Sequence, residues 1–403
     1  MKLLSFWVVL LSVYIGGCAD RGMLNLQSGN LLANKNWTSE KASFEVPFEW
    51  HDGHIIIVVN INNESGVRLA FDSGAAATVL FETERTEPLY LSGSGQISLN
   101  GHQIDIVNDI ELKMKHIQFS GLTVLYVPIG QSPLFDDIEQ AYFDGAIGYD
   151  LLSEYVIKVD YSAKKLRFYK EGLNVTEDEG WQVLPLDVVG RIPYVEVSLG
   201  DTNESTSKYK FVLDTGAPDY LYLNSDLTEN FDFANQYYDT HMSNFEGNFV
   251  AKTGKIHSVY LAGTRFSDLV SHDLPNFQDP IGVGLIGSGL LRQFDLILDY
   301  ENSLVALKPN NAFSTDSFAD RSGLQIEPHK RGGIVKQVNP DSHAFKSGIR
   351  TGDLLTSIND VKISASNFDQ QRSLLSSELD VLAICFGNKA KQTCTNVNLN
   401  DRL

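Results

Sequence analysis

Two aspartates lie 142 positions apart in closely similar surroundings. Asp72 belongs to RLAFDSGAAATVL (68–80) and Asp214 to KFVLDTGAPDYLYL (210–223), and each follows an apolar run and precedes Ser or Thr, Gly and Ala. Two carboxyls that face each other cannot both ionise readily, so they share one proton. The ionised carboxylate can take a proton from water while the protonated carboxyl polarises a carbonyl. The pattern therefore predicts general acid–base hydrolysis with Asp72 and Asp214 as the catalytic residues, either of which can carry the proton.

A second motif recurs downstream of each aspartate. The segment DGAIGYDLLSEYVIKVDYSAKKLRFY (144–169) aligns with VGLIGSGLLRQFDLILDYENSLVALK (283–308) at a constant offset of 139 positions. Two motifs that recur in the same order at nearly the same offset indicate an internal duplication. Each copy is therefore expected to supply one aspartate to a common site.

Both copies have the composition of β-strands. The runs HIIIVVNI (54–61) and IPYVEVSL (192–199) precede the aspartate motifs, and a polar Asn-Glu-Ser turn follows each run. This arrangement predicts a hairpin that leads into each aspartate. Short helices are expected near Leu151 and near Leu290, so each copy is predicted to be mainly β.

The double pattern resembles the pepsin and retropepsin superfamily of aspartic proteases over roughly residues 43–310. The resemblance implies two tandem retropepsin-like lobes, each a closed β-barrel, at residues 43–173 and 174–312. Together they would form a pseudo-dimeric aspartic endopeptidase that hydrolyses peptide bonds without a cofactor or metal ion.

The same resemblance assigns roles to the neighbours of the two aspartates. Ser73 and Thr215 occupy the position whose hydroxyl braces the opposite loop. Gly74 and Gly216 allow the backbone to turn tightly beside the carboxyls. The second motif would cross behind each aspartate loop and complete the site, with the residues Ile147, Gly148, Ile286 and Gly287.

Two further features bear on the activity. The hairpins that would close over a substrate are expected at residues 91–103 and 244–255, although ordinary surface hairpins remain an alternative for both. Ala75 and Ala217 follow the motif glycines, where pepsin-like enzymes carry Ser or Thr and retropepsins carry Ala. Loss of a donor to the charged carboxylate raises its pKa, so activity is expected at mildly acidic to neutral pH.

The C-terminal part, residues 313–403, is expected to be a separate domain. A polar linker at 311–322 precedes it, and the segment 322–363 resembles a PDZ domain of bacterial periplasmic proteases. The family's carboxylate-binding loop corresponds to Gly323, Leu324, Gln325 and Ile326. Such a loop and its strand bind a chain terminus or an extended peptide by β-augmentation, with residues 367–375 as the helix across the groove. The alternative is a degenerate PDZ domain that only packs against the protease.

The N-terminus has the pattern of an export signal. Met1 and Lys2 precede a short apolar stretch, which predicts a signal peptide over residues 1–17. Cys18 after two glycines resembles a bacterial lipobox, which implies cleavage before Cys18 and lipidation of its thiol. Residues 18–42 are then a lipidated flexible tether, rich in Asn and Gly, and Ala19 favours the outer membrane. The alternative is an ordinary signal peptide with an incidental cysteine.

Composition limits the partners. The formal net charge is −19, which argues against nucleic acid or an anionic membrane surface as the main partner. Membrane contact is expected through the N-terminal lipid only, with the domains facing the periplasm. Cys385 and Cys394 lie in strand-like runs around a short turn and can form a disulfide in an oxidising periplasm, two free thiols being the alternative.

The sequence therefore predicts an envelope aspartic endopeptidase that is catalytically complete as a monomer and acts on peptides or proteins, with the PDZ domain recruiting or regulating them. The rival hypothesis from another class is a non-catalytic peptide-binding adaptor with a protease-like fold. A third hypothesis is a zymogen whose tether fills the cleft. The intact pair of aspartates favours the enzyme.

Overall fold

Strands dominate the chain in this computed structural model. It describes residues 8–9, 26, 30–99, 102–131, 141–173, 180–202, 205–231, 236–244, 247–275, 277, 279–329, 331–364, 366–388, 391–401 and 403. The predicted signal peptide lies outside the described residues except for strand β1 (Val8–Val9), and Cys18 lies outside them entirely. Within the described ranges no helix is long and apolar enough to cross a membrane.

The first half of the β-rich body spans residues 34–169. Helix α1 (Tyr149–Leu152) lies where the second motif predicts it, and two single-turn 3-10 helices lie at Glu87–Leu89 and Ile129–Gln131. Its strands are β2 (Asn34–Trp37), β3 (Ser43–Pro47), β4 (Glu49–His51), β5 (His54–Ile61), β6 (Glu64–Phe71), β7 (Val79–Phe81), β8 (Gly95–Leu99), β9 (His102–Met114), β10 (Ile117–Val127), β11 (Gly145–Ile147), β12 (Val156–Asp160) and β13 (Lys165–Tyr169).

The second half spans residues 182–309. Its helices are α2 (Ser225–Thr228) and α3 (Ser288–Leu291). Its strands are β14 (Gln182–Pro185), β15 (Asp187–Val189), β16 (Ile192–Thr202), β17 (Ser205–Leu213), β18 (Leu221–Asn224), β19 (Tyr238–Asn244), β20 (Gly247–Leu261), β21 (Thr264–Leu274), β22 (Gly284–Ile286), β23 (Phe294–Asp299) and β24 (Leu304–Pro309).

The two halves have the same strand pairings in the same directions. In the first half the path runs β5–β6–β11–β7–β10–β9, and β9 also pairs with β5 and with β8. In the second half the path runs β16–β17–β22–β18–β21–β20, and β20 also pairs with β16 and with β19. The duplication seen in the sequence is therefore a structural repeat, and the hairpin before each aspartate is confirmed.

A shared sheet joins the halves. Its strand order is β14-β24-β23-β12-β13-β3, and β12 lies antiparallel to β23 at its centre. Ile157 is opposite Leu298 and Val159 is opposite Leu296, and all four side chains are buried in a core that extends through both halves. Burial of apolar surface stabilises a contact by about 25 cal/mol per Å². The packing of β12 against β23 therefore stabilises the contact between the halves, and this contact keeps the two aspartate loops at a fixed separation.

The segment predicted to be a flexible tether is bound to the first half from Asn30 onwards. The Asn30 amide donates to the Thr123 carbonyl at 2.8 Å, and its oxygen accepts from the Thr123 N–H at 2.7 Å. Strand β2 pairs antiparallel with β10, and Trp37 packs on Phe44 with ring centroids 4.8 Å apart. The Asn-rich composition suggested a tether, but the pairing with β10 and the Trp37 contact give this segment a fixed conformation.

The C-terminal part forms a separate sheet with its own apolar core. Its strand order is β25-β26-β27-β29-β30, with β28 on β27, and a disulfide joins the directly opposed Cys385 and Cys394. Its elements are β25 (Leu324–His329), β26 (Gly332–Val338), α4 (His343–Lys346), β27 (Leu354–Ile358), β28 (Val361–Lys362), α5 (Phe368–Ser373), β29 (Val381–Asn388) and β30 (Lys391–Asn398).

The C-terminal domain contacts both halves of the body through α5 and β25, the two sides of the groove predicted to bind a peptide. From α5, Arg372 forms an ion pair with Asp52, and the Asp369 carboxylate accepts the Asp52 N–H at 3.2 Å. From β25, the Gln325 amide donates to the His241 carbonyl of β19 at 2.7 Å. The groove between β25 and α5 therefore faces the body.

We expect the substitution Arg372→Met to loosen this contact. Both partners of the Arg372–Asp52 pair are largely buried, and removing one partner of a buried pair costs about 3–5 kcal/mol because the other charge is left uncompensated. Limited proteolysis of the linker at 311–322 measures the result, and cleavage should accelerate at least about tenfold.

The double variant Asp52→Asn, Arg372→Met is the matched control. It removes the uncompensated charge of Asp52 and leaves only the longer Arg372–Asp369 contact broken, so it should be cleaved more slowly than Arg372→Met alone. Equal rates for the single and the double variant would show that the ion pair does not hold the domains together.

Candidate active site

Asp72 and Asp214 lie at equivalent positions of the repeat, just beyond β6 and β17, and neither side chain has any exposed surface. The second motif holds them in place. The Asp72 N–H donates to the Ile147 carbonyl at 3.1 Å, and the Asp214 N–H donates to the Ile286 carbonyl at 2.9 Å. These bonds continue the parallel pairings of β6 with β11 and of β17 with β22. The two motifs thus meet in each half, as the spacing predicts.

The residues after the aspartates brace the two loops reciprocally. The Ser73 N–H donates to Thr215 Oγ1 at 2.9 Å, and the Thr215 N–H donates to Ser73 Oγ at 3.0 Å. Each hydroxyl then donates across the site, Ser73 to the Leu213 carbonyl at 2.6 Å and Thr215 to the Phe71 carbonyl at 2.8 Å. The four buried bonds cross from one half to the other and fix the separation of the loops.

The motif glycines bring the carboxyls together. A Cβ on Gly74 would lie 2.6 Å from Cγ of Asp214, and a Cβ on Gly216 would lie 2.5 Å from Cγ of Asp72. These distances are too short for any side chain. Each carboxyl therefore packs directly on the glycine of the opposite loop, and only glycine permits that approach.

Backbone donors hold one oxygen of each carboxyl. Asp72 Oδ1 accepts from the Gly74 N–H at 2.8 Å, and Asp214 Oδ1 accepts from the N–H groups of Gly216 and Ala217 at 2.8 and 3.1 Å. The second oxygen, Oδ2, of each carboxyl is buried and receives no donor from the described part of the chain. These two Oδ2 atoms are the ones left to share a proton or to bind water.

The pKa values of both carboxyls are raised. Burial raises the pKa of Asp72 well above its usual range, and the neighbouring charge of Asp214 adds to the effect. Burial also raises the pKa of Asp214, but the N–H groups of Gly216 and Ala217 and the Asp72 carboxyl oppose the effect. Asp214 accepts two backbone hydrogen bonds and Asp72 accepts one, which favours Asp214 as the ionised carboxylate of the pair.

The glycines of the second motif press against the aspartate loops. A Cβ on Gly148 would lie 2.6 Å from the Ala77 carbonyl oxygen, and one on Gly287 would lie 2.2 Å from that of Asp219. The next N–H groups also contact the loops, as Ser288 donates to the Ala217 carbonyl at 2.7 Å. Helices α1 and α3 thus begin against the aspartate loops and support them.

Asp150 was not predicted to be part of the site. Its buried carboxylate accepts from the N–H and hydroxyl of Thr78 and from the Asn30 amide. Burial raises the pKa of Asp150, and the bonds from Thr78 oppose that effect. The equivalent position in the second half is Gly289, a difference that could have marked Asp150 in the sequence. Asp150 is a structural carboxylate, and among the described residues no three His, Cys, Asp or Glu side chains group around a possible metal ion.

Both aspartates are fully buried in this structure. Met242 of β19 is buried in one apolar cluster with Ala76 and Ala217, which belong to the two aspartate loops. The segments predicted to close over a substrate, 91–103 and 244–255, fall on the β8–β9 and β19–β20 hairpins, apart from 100–101 and 245–246, which lie outside the described residues. Because Asp72 and Asp214 have no exposed surface, a peptide can reach the carboxyls only after the residues that bury them move.

The predicted peptide-binding loop of the C-terminal domain lies elsewhere, at the start of β25. Its first two N–H groups are occupied, because Gly323 donates to Asp320 Oδ2 at 2.8 Å and Leu324 donates to the Ser322 hydroxyl at 2.9 Å. Gln325 and Ile326 follow in the strand, where Ile326 belongs to the domain core. The structure does not bring this loop together with Asp72 and Asp214.

Comparison with known families identifies the C-terminal part. Residues 315–383 match the family model of the PDZ domain, within the range predicted for it. PDZ domains bind peptides or proteins, so the chain contains a peptide- or protein-binding module. No curated protein matches the chain.

Proposed function

We propose that the protein is an aspartic endopeptidase with a PDZ domain that recruits or regulates its substrates. The observation that carries the proposal is the pair of buried carboxyls, each packed on the motif glycine of the other half and joined by the reciprocal Ser73–Thr215 bonds. Two adjacent carboxyls with raised pKa values retain one proton between them, which is the state that acid–base hydrolysis requires.

In the proposed mechanism Asp214 is the base and Asp72 the acid. Ionised Asp214 takes a proton from a water molecule as that water attacks the peptide carbonyl carbon. Protonated Asp72 donates a hydrogen bond to the carbonyl oxygen and stabilises the charge that develops there. Collapse of the tetrahedral intermediate breaks the C–N bond, and the proton held by Asp214 passes to the leaving nitrogen. No covalent intermediate with the protein forms.

We further propose that the halves are retropepsin-like closed barrels at 43–173 and 174–312, joined in one monomeric chain. The pairings of β9 with β10 and β5, and of β20 with β21 and β16, complete a ring of six strands in each half. The shared central sheet supports a single-chain enzyme, because it supplies within one polypeptide the contact that a dimer would make between subunits.

The proposed location is the cell envelope, facing the periplasm and anchored by a lipid on Cys18, with the outer membrane as destination. The lipobox-like pattern supports the anchor. The Cys385–Cys394 disulfide supports an oxidising compartment, because the reducing cytosol keeps cysteines in the thiol form.

Incubation of the full chain with a mixed-sequence peptide library between pH 4 and 8 tests the enzyme directly. Mass spectrometry should detect new internal termini with a consistent sequence preference around the cleaved bond. The same preparation with either aspartate replaced by asparagine is the control, and it should give none of these products.

The raised pKa values predict a pH profile displaced towards neutrality. In the active form Asp214 must be ionised. Because burial raises the pKa of Asp214, this form is lost, as the pH falls, at a higher pH than for an ordinary aspartate. We expect kcat/KM at pH 7 to exceed its value at pH 4 by at least about tenfold, since the ionised fraction falls tenfold per pH unit below the pKa. Rates for one peptide between pH 4 and 9 measure this, and a maximum at or below about pH 4 contradicts it.

The second candidate function is a non-catalytic peptide-binding adaptor. The complete burial of both carboxyls favours it, since carboxyls without exposed surface cannot contact a substrate until the residues around them move. An absence of cleavage at every pH by a folded protein that still binds peptides would select this function.

A further inference from the structure

A pocket of about 580 Å³ lies between the PDZ domain and the body. The predicted peptide-binding residues 323–326 and part of α5 form one wall, and residues 218–220, which follow Asp214 closely, form part of the other. Its lining includes neither catalytic aspartate. The pocket is thus the PDZ groove itself, enclosed by the body, and its volume is in the range of ligand sites.

The edge of β25 is available to an extended ligand in this pocket. Within the described sheet β25 pairs only with β26, so its other edge faces the groove. Gln325 lies on this strand, and its Oε1 atom is buried and has no hydrogen-bond partner among the residues that the structure describes. A buried acceptor without a donor is costly, and a peptide N–H or a basic side chain in the groove would satisfy it.

The loop at the start of β25 is poorly suited to a terminal carboxylate. Asp320 accepts from the N–H groups of Ser322 and Gly323, and the Ser322 hydroxyl accepts from Leu324. The donors at the beginning of the loop are therefore used within the chain. A ligand carboxylate placed there would also approach the charge of Asp320, and like charges at close range repel.

The charge of the lining also favours a ligand with basic side chains. Of the described residues around the pocket, five carry carboxylates, against two arginines and one histidine: Asp219, Asp239, Asp320, Asp369 and Glu378, with Arg292, Arg372 and His272. Arg372 is paired with Asp52, and His272 contacts Asp219 at 3.0 Å. The pocket therefore has an excess of negative charge, which attracts cationic side chains.

We propose that this pocket binds an internal, positively charged segment of an extended polypeptide as an added strand on β25, rather than a chain terminus. The proposal rests on the peptide-binding part of the proposed function and not on catalysis. A segment bound there would lie against residues 218–220 and would be held close to the second aspartate loop.

Binding to four labelled peptides tests the proposal. The probe is a fluorescein-labelled octapeptide of alternating Val and Thr with two central lysines, made with a free carboxylate and as the C-terminal amide. Two further peptides carry glutamates in place of the lysines. Anisotropy is measured with the full chain, and mass spectrometry of the same samples shows whether any peptide is cut.

We expect both lysine peptides to bind equally within about twofold, and at least about tenfold more tightly than the glutamate peptides at low salt. A free carboxylate that improves affinity tenfold would establish a terminus as the ligand and overturn the proposal. Absence of binding by both lysine peptides would overturn it as well. Cleavage is not needed for this result, so failure of the enzyme proposal leaves the binding result interpretable.

Charge variants locate the site. The double variant Asp239→Asn, Glu378→Gln removes two carboxylates from the lining and should reduce the preference for lysine over glutamate by at least about threefold. Asp341→Asn, an exposed change on the PDZ domain outside the lining, is the matched control. An equal effect of the control would show that overall charge, and not the pocket, selects the peptide.

Discussion

Replacement of Asp214 by asparagine is expected to lower kcat/KM for peptide cleavage by at least about 10³-fold, because general acid–base catalysis contributes about 10²–10⁴ and this residue also positions the water. Asparagine keeps the oxygen that accepts from Gly216 but cannot take a proton. Asp72→Asn should cost about as much, and the double variant little more than either, since residues that act as a unit are not additive.

The matched control is Asp109→Asn, which changes an exposed aspartate on β9. It should leave kcat/KM unchanged. Multiplicative losses in the Asp72, Asp214 double variant would mean that the carboxyls act independently and would remove the basis for a shared proton.

The melting temperature of the Asp72→Asn variant distinguishes a loss of catalysis from a loss of folding. The folded pKa of Asp72 is raised, so its contribution to stability is present at low pH and is lost as pH rises through that pKa. An asparagine side chain at this position would carry no charge at any pH. The Asp72→Asn variant should therefore melt higher than the parent at pH 8, and the difference should shrink at pH 5. A variant that melts lower at both pH values would point to damage to the fold.

The second large effect is expected at the motif glycines. In Gly216→Ala the new methyl would lie 2.5 Å from Cγ of Asp72, and in Gly74→Ala 2.6 Å from Cγ of Asp214. Overpacking of a buried site typically costs about 1–3 kcal/mol. Relief requires the two loops to separate, and a displacement of about 1 Å can cost 10²-fold in rate, so we expect an activity loss of at least about that size.

Gly130→Ala is the control for this pair. Gly130 is exposed beyond the end of β10, and a Cβ there meets no atom of the described residues within 4 Å, so this variant should retain the activity and melting temperature of the parent. Kinetics and thermal unfolding of the three variants measure the difference. If Gly216→Ala cleaves as fast as Gly130→Ala, the carboxyls are not packed on the opposite glycines in solution.

Much of the candidate site could be predicted because its parts are local and occur twice. The apolar run before each Asp-Ser/Thr-Gly-Ala, and the Ile-Gly step before each short helix, are contiguous in sequence, and their repetition makes chance coincidence improbable. The hairpins, helices α1 and α3, and the PDZ elements follow from the same local patterns.

The remaining features depend on contacts between distant segments. Strand β2 has the composition of a loop, and only its pairing with β10 makes it a strand. Arg372 and Asp52 are 320 positions apart, and no periodicity links them. The difference between the two carboxyls lies in the number of N–H donors at each one, which is a property of the folded chain.

Because β12 and β23 join the halves within one chain, the two sides of the site can differ. In an enzyme assembled from two identical subunits, a peptide can bind in two opposite directions with the same contacts, because rotation by half a turn exchanges the subunits. In a single chain the copies are free to diverge, and here Thr78 and Asp150 on one side correspond to Tyr220 and Gly289 on the other. A peptide bound at the proposed site would therefore meet different surroundings in the two halves, and one direction of binding would be favoured over the other.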